Sequence, residues 1–240
     1  MRARQRHFVA RDAGAQMTMD ARFIAQSDNT AVTTWANRGS STYDMTQATA
    51  AAKPTFRDGT NGLNGLPTLS FDGGDLLEGI NTSLNSYSII SVASRAASGA
   101  NPETIFSRGI TNAAQYSRDV ILYYVPGSSS ANVQRASQTS FPTATVTSVG
   151  SGGHVLHGRY DGTNLGMRVD EGSEVTAGSA TPASPNAPWA IGATRENNTI
   201  LYYFNSKISL VAVWNGSVLS APLRKRATHA AGYSFKIACS

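Results

Sequence analysis

The sequence has only one cysteine, Cys239, which excludes an internal disulfide and a zinc site built from cysteines. Charged residues make up just 15% of the 240 residues, while glycine, serine, threonine, alanine and asparagine are abundant. This balance favours short strands joined by turns over helices. Because no run of about 18 apolar residues occurs, the sequence predicts no membrane insertion. A chain of this length can bury the core of one domain.

Sequence motifs typical of catalysis are also missing. Sandwich glycosidases need two nearby carboxylates, commonly offered on one strand as Glu-x-Asp-x-Glu, and this pattern does not occur. Neither G-x-S-x-G, nor a Walker A loop, nor G-x-G-x-x-G is present. His154 and His157 are three positions apart and would point to opposite faces of a strand, so they predict no shared metal site. We therefore expect a protein that is not an enzyme.

The formal net charge of +5 is carried largely at the two ends of the chain. Residues 1–15 are predicted to form a flexible basic arm, and residues 16–240 a single domain. The arm carries four arginines that could dock on an acidic partner, namely Arg2, Arg4, Arg6 and Arg11. Apart from Phe8, no aromatic residues are interleaved with them, which argues against a dedicated nucleic-acid binder. The N-terminus has no apolar signal segment, so we expect no Sec-type export.

Alternating and apolar runs predict a series of short strands. The clearest are residues 17–25, 67–71, 87–94, 104–108, 120–125, 132–138, 155–160 and 165–169, and Val211, Val213 and their neighbours are predicted to form the last long strand. Residues 220–231 are predicted to form a helix with Ser220 as its N-cap, ended by Gly232. Residues 233–237 alternate and predict an edge strand. Trp35, Trp189 and Trp214 are expected in the core. The fold class is therefore all-β.

Three stretches resemble laminin-G-like, concanavalin A-like jelly rolls, a group frequent in bacteriophage and bacterial surface proteins. The first matches the pattern W-x-N, then A-T-Q-A-T-A, then K-P-T, then G-L-N-G-x-P, then F-D-G. Its matching positions are Trp35, Asn37, residues 47–50, 53–55 and 62–65, Pro67 and residues 71–73. The second is Y-D-G-T-x-L at residues 160–165, followed by Val169 and Asp170. The third comprises Ile191, Gly192, Arg195, Phe204, Ile208, residues 210–213 and Trp214.

The resemblance implies a jelly-roll β-sandwich of two antiparallel sheets, with the short helix at its C-terminal end. It also suggests a virion structural protein of a phage, such as a capsid decoration, head-fibre or tail subunit. Such a protein would be made in the host cytoplasm and located in the virion. Its partners would be other virion or capsid proteins through the basic arm, and symmetric homo-oligomers are expected.

The alternative function is a lectin-like module that binds surface glycans. Sugars stack on exposed aromatic rings and hydrogen-bond at their edges. Strand doublets at residues 123–124 and 202–203 should each turn one tyrosine ring away from the core unless that face is covered. The predicted ligand-binding residues are Arg195, Asn197, Asn198, Tyr202 and Tyr203, although a protein interface would use the same residue types.

Calcium is a further expectation that comes from the resemblance, since sandwiches of this group often hold the ion through loop oxygens. The candidate ligands are Asp72 and Asp75 in the D-G-G-D turn. The alternative is a tight turn that the aspartate side chains stabilise by hydrogen bonds. No other cofactor is predicted.

Overall fold

The computed structural model describes residues 14–79, 81–95, 101–109, 118–125, 127–135, 140–178, 188–196 and 199–237. Arg2, Arg4, Arg6 and Arg11, most of the predicted basic arm, and Cys239 lie outside this part of the chain. The described strands are β1 (Met17–Asp20), β2 (Thr30–Ala31), β3 (Thr34–Trp35), β4 (Met45–Thr46), β5 (Thr55–Arg57), β6 (Thr68–Ser70), β7 (Leu77–Glu78), β8 (Tyr87–Arg95), β9 (Glu103–Gly109), β10 (Arg118–Val125), β11 (Ser130–Arg135), β12 (Thr143–Val146), β13 (Gly152–Tyr160), β14 (Leu165–Val169), β15 (Val175–Ala177), β16 (Trp189–Ile191), β17 (Thr194–Glu196), β18 (Thr199–Leu201) and β19 (Lys207–Asn215). Short 3-10 turns cover Ala21–Phe23 and Ala50–Ala52, and α1 covers Ala221–Ser234.

Most of the strands form two antiparallel sheets, which confirms the predicted jelly-roll β-sandwich. The first, which we call the helix-side sheet, has the order β15-β14-β13-β8-β19-β6-β5-β2, with β1 added to β19. The second, the opposite sheet, has the order β12-β11-β10-β9-β16-β7-β4-β3. A separate hairpin is formed by β17 and β18. Neighbours in each sheet are often distant in sequence, as expected for this topology.

The main hydrophobic core lies between the two sheets. Alternate residues of β8 and β19, such as Ile89 and Val211, are fully buried together with Phe106 and Leu122 of the opposite sheet. The sheets approach closely at Gly158, where an added Cβ would lie 3.0 Å from a methyl group of Val133. Every second side chain of these strands therefore lies in the core between the two sheets, as the alternating sequence pattern predicts.

The sequence predicted most of the long strands well. Residues 87–94, 104–108, 120–125 and 155–160 all lie within strands that extend one to three residues further. The predicted pairing across the Ser-rich loop is confirmed as β10–β11, from Val120 opposite Arg135 to Val125 opposite Ser130. All three tryptophans are buried, as expected: Trp35 and Trp189 at 1% exposure and Trp214 at 3%.

The outer face of the helix-side sheet is covered in part by α1. Ile90, Val155 and Leu210 of this face form a second hydrophobic cluster with Ala231 and Phe235 of the C-terminal segment. The ring of Phe235 is also covered by the guanidinium of Arg22, 4.5 Å from the ring centre. This helix lacks the length and hydrophobicity to cross a bilayer, and no other helix in the described residues has them.

Two predictions about the C-terminal segment were wrong. The helix continues through Gly232 to Ser234, and the predicted strand at 233–237 is its last turn and exit. The helix ends in a Schellman motif, in which Ile237 N–H donates to Gly232 O (2.9 Å) and Lys236 N–H donates to Tyr233 O (3.2 Å). Lys236 takes the left-handed conformation, with φ 52°, that glycine usually supplies. Gly232 instead lies buried in the helix where α1 meets the sheet.

Candidate ligand-binding pocket

An open cavity of about 170 Å³ lies where the end of β1 meets β3, and we call it the Phe23 pocket. Its lining residues are Asp20, Phe23, Ile24, Ala25, Gln26, Thr34, Trp35, Ala36 and Arg38. Phe23 is 48% exposed, which is high for a phenylalanine, whereas Trp35 is buried and belongs to the main core. The pocket therefore has a rigid apolar floor and an aromatic ring exposed at its side.

Local sequence at the end of β1 places Phe23 at the surface. Asp20 caps the short 3-10 turn by accepting a hydrogen bond from Arg22 N–H at 3.0 Å. The turn closes when Ile24 N–H donates to Ala21 O at 3.2 Å. Ala21 is buried by this turn while Phe23 points outward. Because β1 pairs with the central strand β19, the turn rests on one of the best-anchored elements of the sheet.

The opposite wall of the pocket is fixed by the W-A-N-R-G segment. Asn37 Oδ1 accepts hydrogen bonds from Thr18 N–H (2.8 Å) and Gly39 N–H (2.9 Å), while its Nδ2 donates to Gln16 O (3.1 Å). An added Cβ at Gly39 would lie 2.3 Å from Gln16 O, so only glycine fits there. These contacts explain the Trp-x-Asn-x-Gly pattern, and they hold the backbone of Arg38, whose N–H donates to Thr18 O.

The two arginines near the pocket have different roles. Arg22 is fully engaged with Asp20, donating from Nε (2.9 and 3.1 Å) and Nη2 (2.5 Å). Arg38 stacks its guanidinium over the Phe23 ring at 4.5 Å from the ring centre. Among the described residues it forms no ion pair and no side-chain hydrogen bond. Its N–H donors are therefore available at the mouth of the pocket.

Two further polar side chains of the pocket are unengaged. Gln26 and Thr34 are exposed, and neither side chain hydrogen-bonds to any residue that the structure describes. An amide, a hydroxyl and a guanidinium thus converge around one exposed aromatic ring. This combination of a few polar groups with apolar surface is typical of small-molecule sites.

The predicted ligand-binding residues lie elsewhere, at the β17–β18 hairpin. Arg195 is held by Glu78 of β7, to which its Nε donates at 3.0 Å and its Nη2 at 2.8 and 3.0 Å. Tyr202 and Tyr203 are half-buried just after β18. Asn197 and Asn198 lie outside the described residues. The prediction for this patch is untested, and the structure shows that its arginine is already paired.

The other tyrosine doublet offers no exposed ring. Tyr124 is fully buried between the sheets, and Tyr123, on the other face of β10, is only 8% exposed. The sequence allowed for this outcome if the outer face were covered. No stacking surface for a sugar is therefore formed at residues 123–124.

The predicted calcium ligands form a compact turn between β6 and β7. Asp72 Oδ1 accepts Gly74 N–H at 2.9 Å, and Asp75 Oδ2 accepts Asp72 N–H at 3.0 Å. Burial raises the pKa of Asp75 to about 6, and the negative charge of Asp72 adds to this effect. Among the described residues no group of three or more His, Cys, Asp or Glu could hold a metal ion. The two carboxylates already stabilise the turn, and calcium binding stays a prediction.

The histidines of β13 lie on opposite faces of the strand, as predicted. His154 contacts Asp170 through Nδ1 at 2.8 Å. His157 is completely buried, and neither of its ring nitrogens forms a hydrogen bond with a residue in the described part of the chain. Burial lowers its pKa to about 3, and the positive charge of Arg224 acts in the same direction. The two side chains do not form a shared site.

Comparison with known proteins places the chain by its fold. No protein-family model matches the sequence, and neither does any curated protein. Among solved structures, domain 4 of AbnA, a GH43 extracellular arabinanase from Geobacillus stearothermophilus in complex with arabinotriose, matches with a TM-score of 0.54 and 14% identity, over 79% of this chain and 82% of that one. The CBM40 of the Ruminococcus gnavus IT-sialidase bound to α2,6 sialyllactose matches with a TM-score of 0.50 and 13% identity, over 64% and 97% respectively.

A third match is the leech intramolecular trans-sialidase, with a TM-score of 0.51 and 15% identity over 61% of this chain. The chain spans only 24% of that enzyme's length, so it corresponds to one part of it. At these identities the likeness shows the fold alone. The chain is a β-sandwich of the architecture found in carbohydrate-binding modules.

The sequence did not point to the Phe23 pocket as a site. Phe23 and Arg38 are 15 positions apart and come together because the segment around Asn37 is hydrogen-bonded to the start of β1. The available signal was the Trp35-x-Asn37 pattern, which was used for the fold and not for a binding site. An exposed phenylalanine beside a polar loop has no sequence signature of its own.

Proposed function

We propose that this protein is a carbohydrate-binding module that holds a saccharide in the Phe23 pocket. The observation that carries the proposal is the ring of Phe23, half exposed at the side of a cavity in which the side chains of Gln26, Thr34 and Arg38 form no hydrogen bond or ion pair with the described residues. Aromatic rings bind the apolar face of a sugar, and amides and guanidinium groups bind its hydroxyl oxygens. Both requirements are met within one pocket.

The fold supports the same function. Two of the solved structures described above, the arabinanase domain and the CBM40, are complexes with arabinotriose and sialyllactose. The size of the cavity is below the roughly 300–1,000 Å³ of a drug-sized ligand site, so it suits a single sugar ring or chain end. We therefore expect modest affinity for a terminal residue and no tight enclosure of a long chain.

A phage structural role was the main prediction from the sequence, and it stays a prediction. The arginines that would dock on the virion, Arg2, Arg4, Arg6 and Arg11, lie outside the described residues. None of the three solved structures reported above is a virion protein. Deletion of residues 2–12 should abolish particle association if that role is correct.

A glycan array followed by calorimetric titration tests the proposal. We expect the folded wild-type protein to bind a subset of saccharides, and arabinotriose and sialyllactose are the first ligands to titrate. Phe23→Ala should weaken binding by about ten-fold or more, because an aromatic anchor commonly contributes above 1 kcal/mol. Its folding should be little affected, since the ring is half exposed.

Tyr43→Ala is a matched control, because Tyr43 is a 56% exposed aromatic residue that does not line the pocket. This variant should bind as the wild-type protein does. A flat array with folded protein, or equal affinities for wild type and Phe23→Ala, would overturn the proposal.

A further inference from the structure

We infer that the Phe23 pocket selects saccharides that carry a carboxylate, and that Arg38 is the residue that recognises this group. The inference rests on the proposed function and adds the class of ligand. It depends on three features of the pocket: its charge balance, the availability of the Arg38 donors, and the fixed position of the Arg38 backbone.

The charge balance of the pocket is positive. Its one lining carboxylate, Asp20, is buried and paired with Arg22 through both oxygens. Arg38 has no such partner among the described residues. The nearby Asp44 accepts the backbone N–H of Asn37 at 2.8 Å and forms no ion pair with Arg38. One uncompensated positive charge therefore remains at the mouth of the pocket.

The way Arg38 is held leaves its donors free. The guanidinium carbon lies over the Phe23 ring, 4.5 Å from its centre, and the N–H groups of the guanidinium form no hydrogen bond with any residue that the structure describes. A carboxylate can accept two parallel hydrogen bonds from that edge, and such charge-assisted pairs are among the strongest hydrogen bonds in proteins. A neutral hydroxyl gains less from the same donors. The stacked arginine therefore favours an acidic sugar over its neutral counterpart.

The position of Arg38 is also set in advance. Its N–H donates to Thr18 O at 2.9 Å, and the adjacent Asn37 bonds to the backbone on both sides. Holding the guanidinium against the ring lowers the conformational entropy that is lost when a ligand binds. A carboxylate attached directly to a sugar ring is compact enough to reach Arg38 while the ring lies in the small cavity beside Phe23.

Titration with matched pairs of ligands tests the inference, using sialyllactose against lactose and glucuronic acid against glucose. At low salt, we expect the wild-type protein to prefer the acidic member of each pair by about ten-fold or more. Arg38→Gln should reduce this preference to within about two-fold, because it weakens binding of the acidic sugar much more than binding of the neutral sugar. Arg38→Lys, which keeps the charge without the planar edge, should retain part of the preference.

Arg57→Gln is the control for net charge. It removes a positive charge from β5, outside the pocket, where Arg57 contacts Asp28 only at 3.8 Å. We expect it to keep the full preference for acidic sugars. If Arg57→Gln weakens the preference as much as Arg38→Gln, the effect is general electrostatic attraction and the inference is wrong.

The remaining outcomes separate the two proposals. Binding of both members of each pair with equal affinity, lost in Phe23→Ala, would overturn the inference and leave the proposed function intact. No binding of any saccharide would overturn both. A preference that persists in Arg38→Gln would show that another group recognises the carboxylate.

Discussion

The Phe23 pocket and the β17–β18 hairpin contain similar residues but differ in what those residues are free to do. Each brings an arginine and aromatic rings together near the surface. In the hairpin, Arg195 is neutralised by Glu78 through three contacts of 2.8–3.0 Å. In the pocket, the side chain of Arg38 lies over the Phe23 ring and forms no hydrogen bond or ion pair with the described residues. The comparison teaches that the residue types of a site can be read from a sequence, whereas their availability depends on neighbours brought in by the fold.

The two regions also differ in how they are anchored to the core and to the sheets. The pocket is built on Trp35, which belongs to the main core, and on β1, which pairs with the central strand β19. Among the described strands, β17 and β18 pair with each other, from Thr194 opposite Leu201 to Glu196 opposite Thr199, and are joined to neither sheet by strand pairing. A ligand site that must hold its geometry benefits from the first kind of support.

The largest expected effect is on the free energy of unfolding, and it tests this difference in anchoring. Trp35→Ala removes a fully buried side chain and should lower the free energy of unfolding by about 3–5 kcal/mol, because the cavity left behind cannot collapse completely. Tyr203→Ala, at a half-buried position after the hairpin, should cost about 1 kcal/mol or less. Urea denaturation followed by circular dichroism measures both. Similar losses for the two variants would contradict the proposed difference in support.

The next largest effect is on saccharide affinity, which we expect to change at the pocket and not at the hairpin. Phe23→Ala should weaken saccharide binding by about ten-fold or more. Tyr203→Ala should change the affinity by less than two-fold, because Arg195 beside it is already paired with Glu78. Titration of the two variants with the best ligand from the array decides between the sites. The reverse result, with binding lost only in Tyr203→Ala, would support the sites predicted from the sequence.

Much of the fold could be predicted, because strand alternation and turn chemistry are local. The Asp161–Asn164 turn illustrates this: Asp161 Oδ1 accepts the backbone N–H groups of Thr163 and Asn164, as its sequence indicates. The end of α1 could not be predicted in the same way. Gly232 resembles a stop signal, yet it is buried within the helix, and Lys236 adopts the left-handed conformation that ends it.

The candidate site was harder to predict than the fold, because it depends on non-local contacts. Arg195 belongs to a recognisable pattern, but its partner Glu78 is 117 residues away in sequence. Phe23 and Arg38 belong to no binding pattern, and their stacking follows from the pairing of Thr18 with Asn37. Which arginine is paired and which is available is decided by tertiary structure alone.

The smallest expected effect compares the acids of the two regions. Asp20 at the pocket is balanced by Arg22. Asp75 forms no ion pair with any residue that the structure describes. It lies near the segments that flank the hairpin: Gly73 N–H donates to Phe204 O, and a Cβ at Gly192 would lie 3.1 Å from Asp75 O. Burial raises the pKa of Asp75 from 3.8 to about 6, so between these values the folded state binds more protons than the unfolded state. The stability of the wild-type protein should therefore fall as the pH rises through this window.

Asp75→Asn removes this titration while retaining a side-chain oxygen that can accept the Asp72 N–H. Relative to the wild-type protein, the variant should gain about 1 kcal/mol of stability between pH 4 and pH 7, as measured by urea denaturation at each pH. Asp72→Asn should have a smaller effect of the same sign, because it removes only the neighbouring charge that helps to raise the pKa of Asp75. Parallel stability curves for the wild type and Asp75→Asn would show that the Asp75 carboxylate is ionised in the folded protein throughout this range. That result would make the D-G-G-D turn a stronger candidate for the calcium site that its resemblance implies.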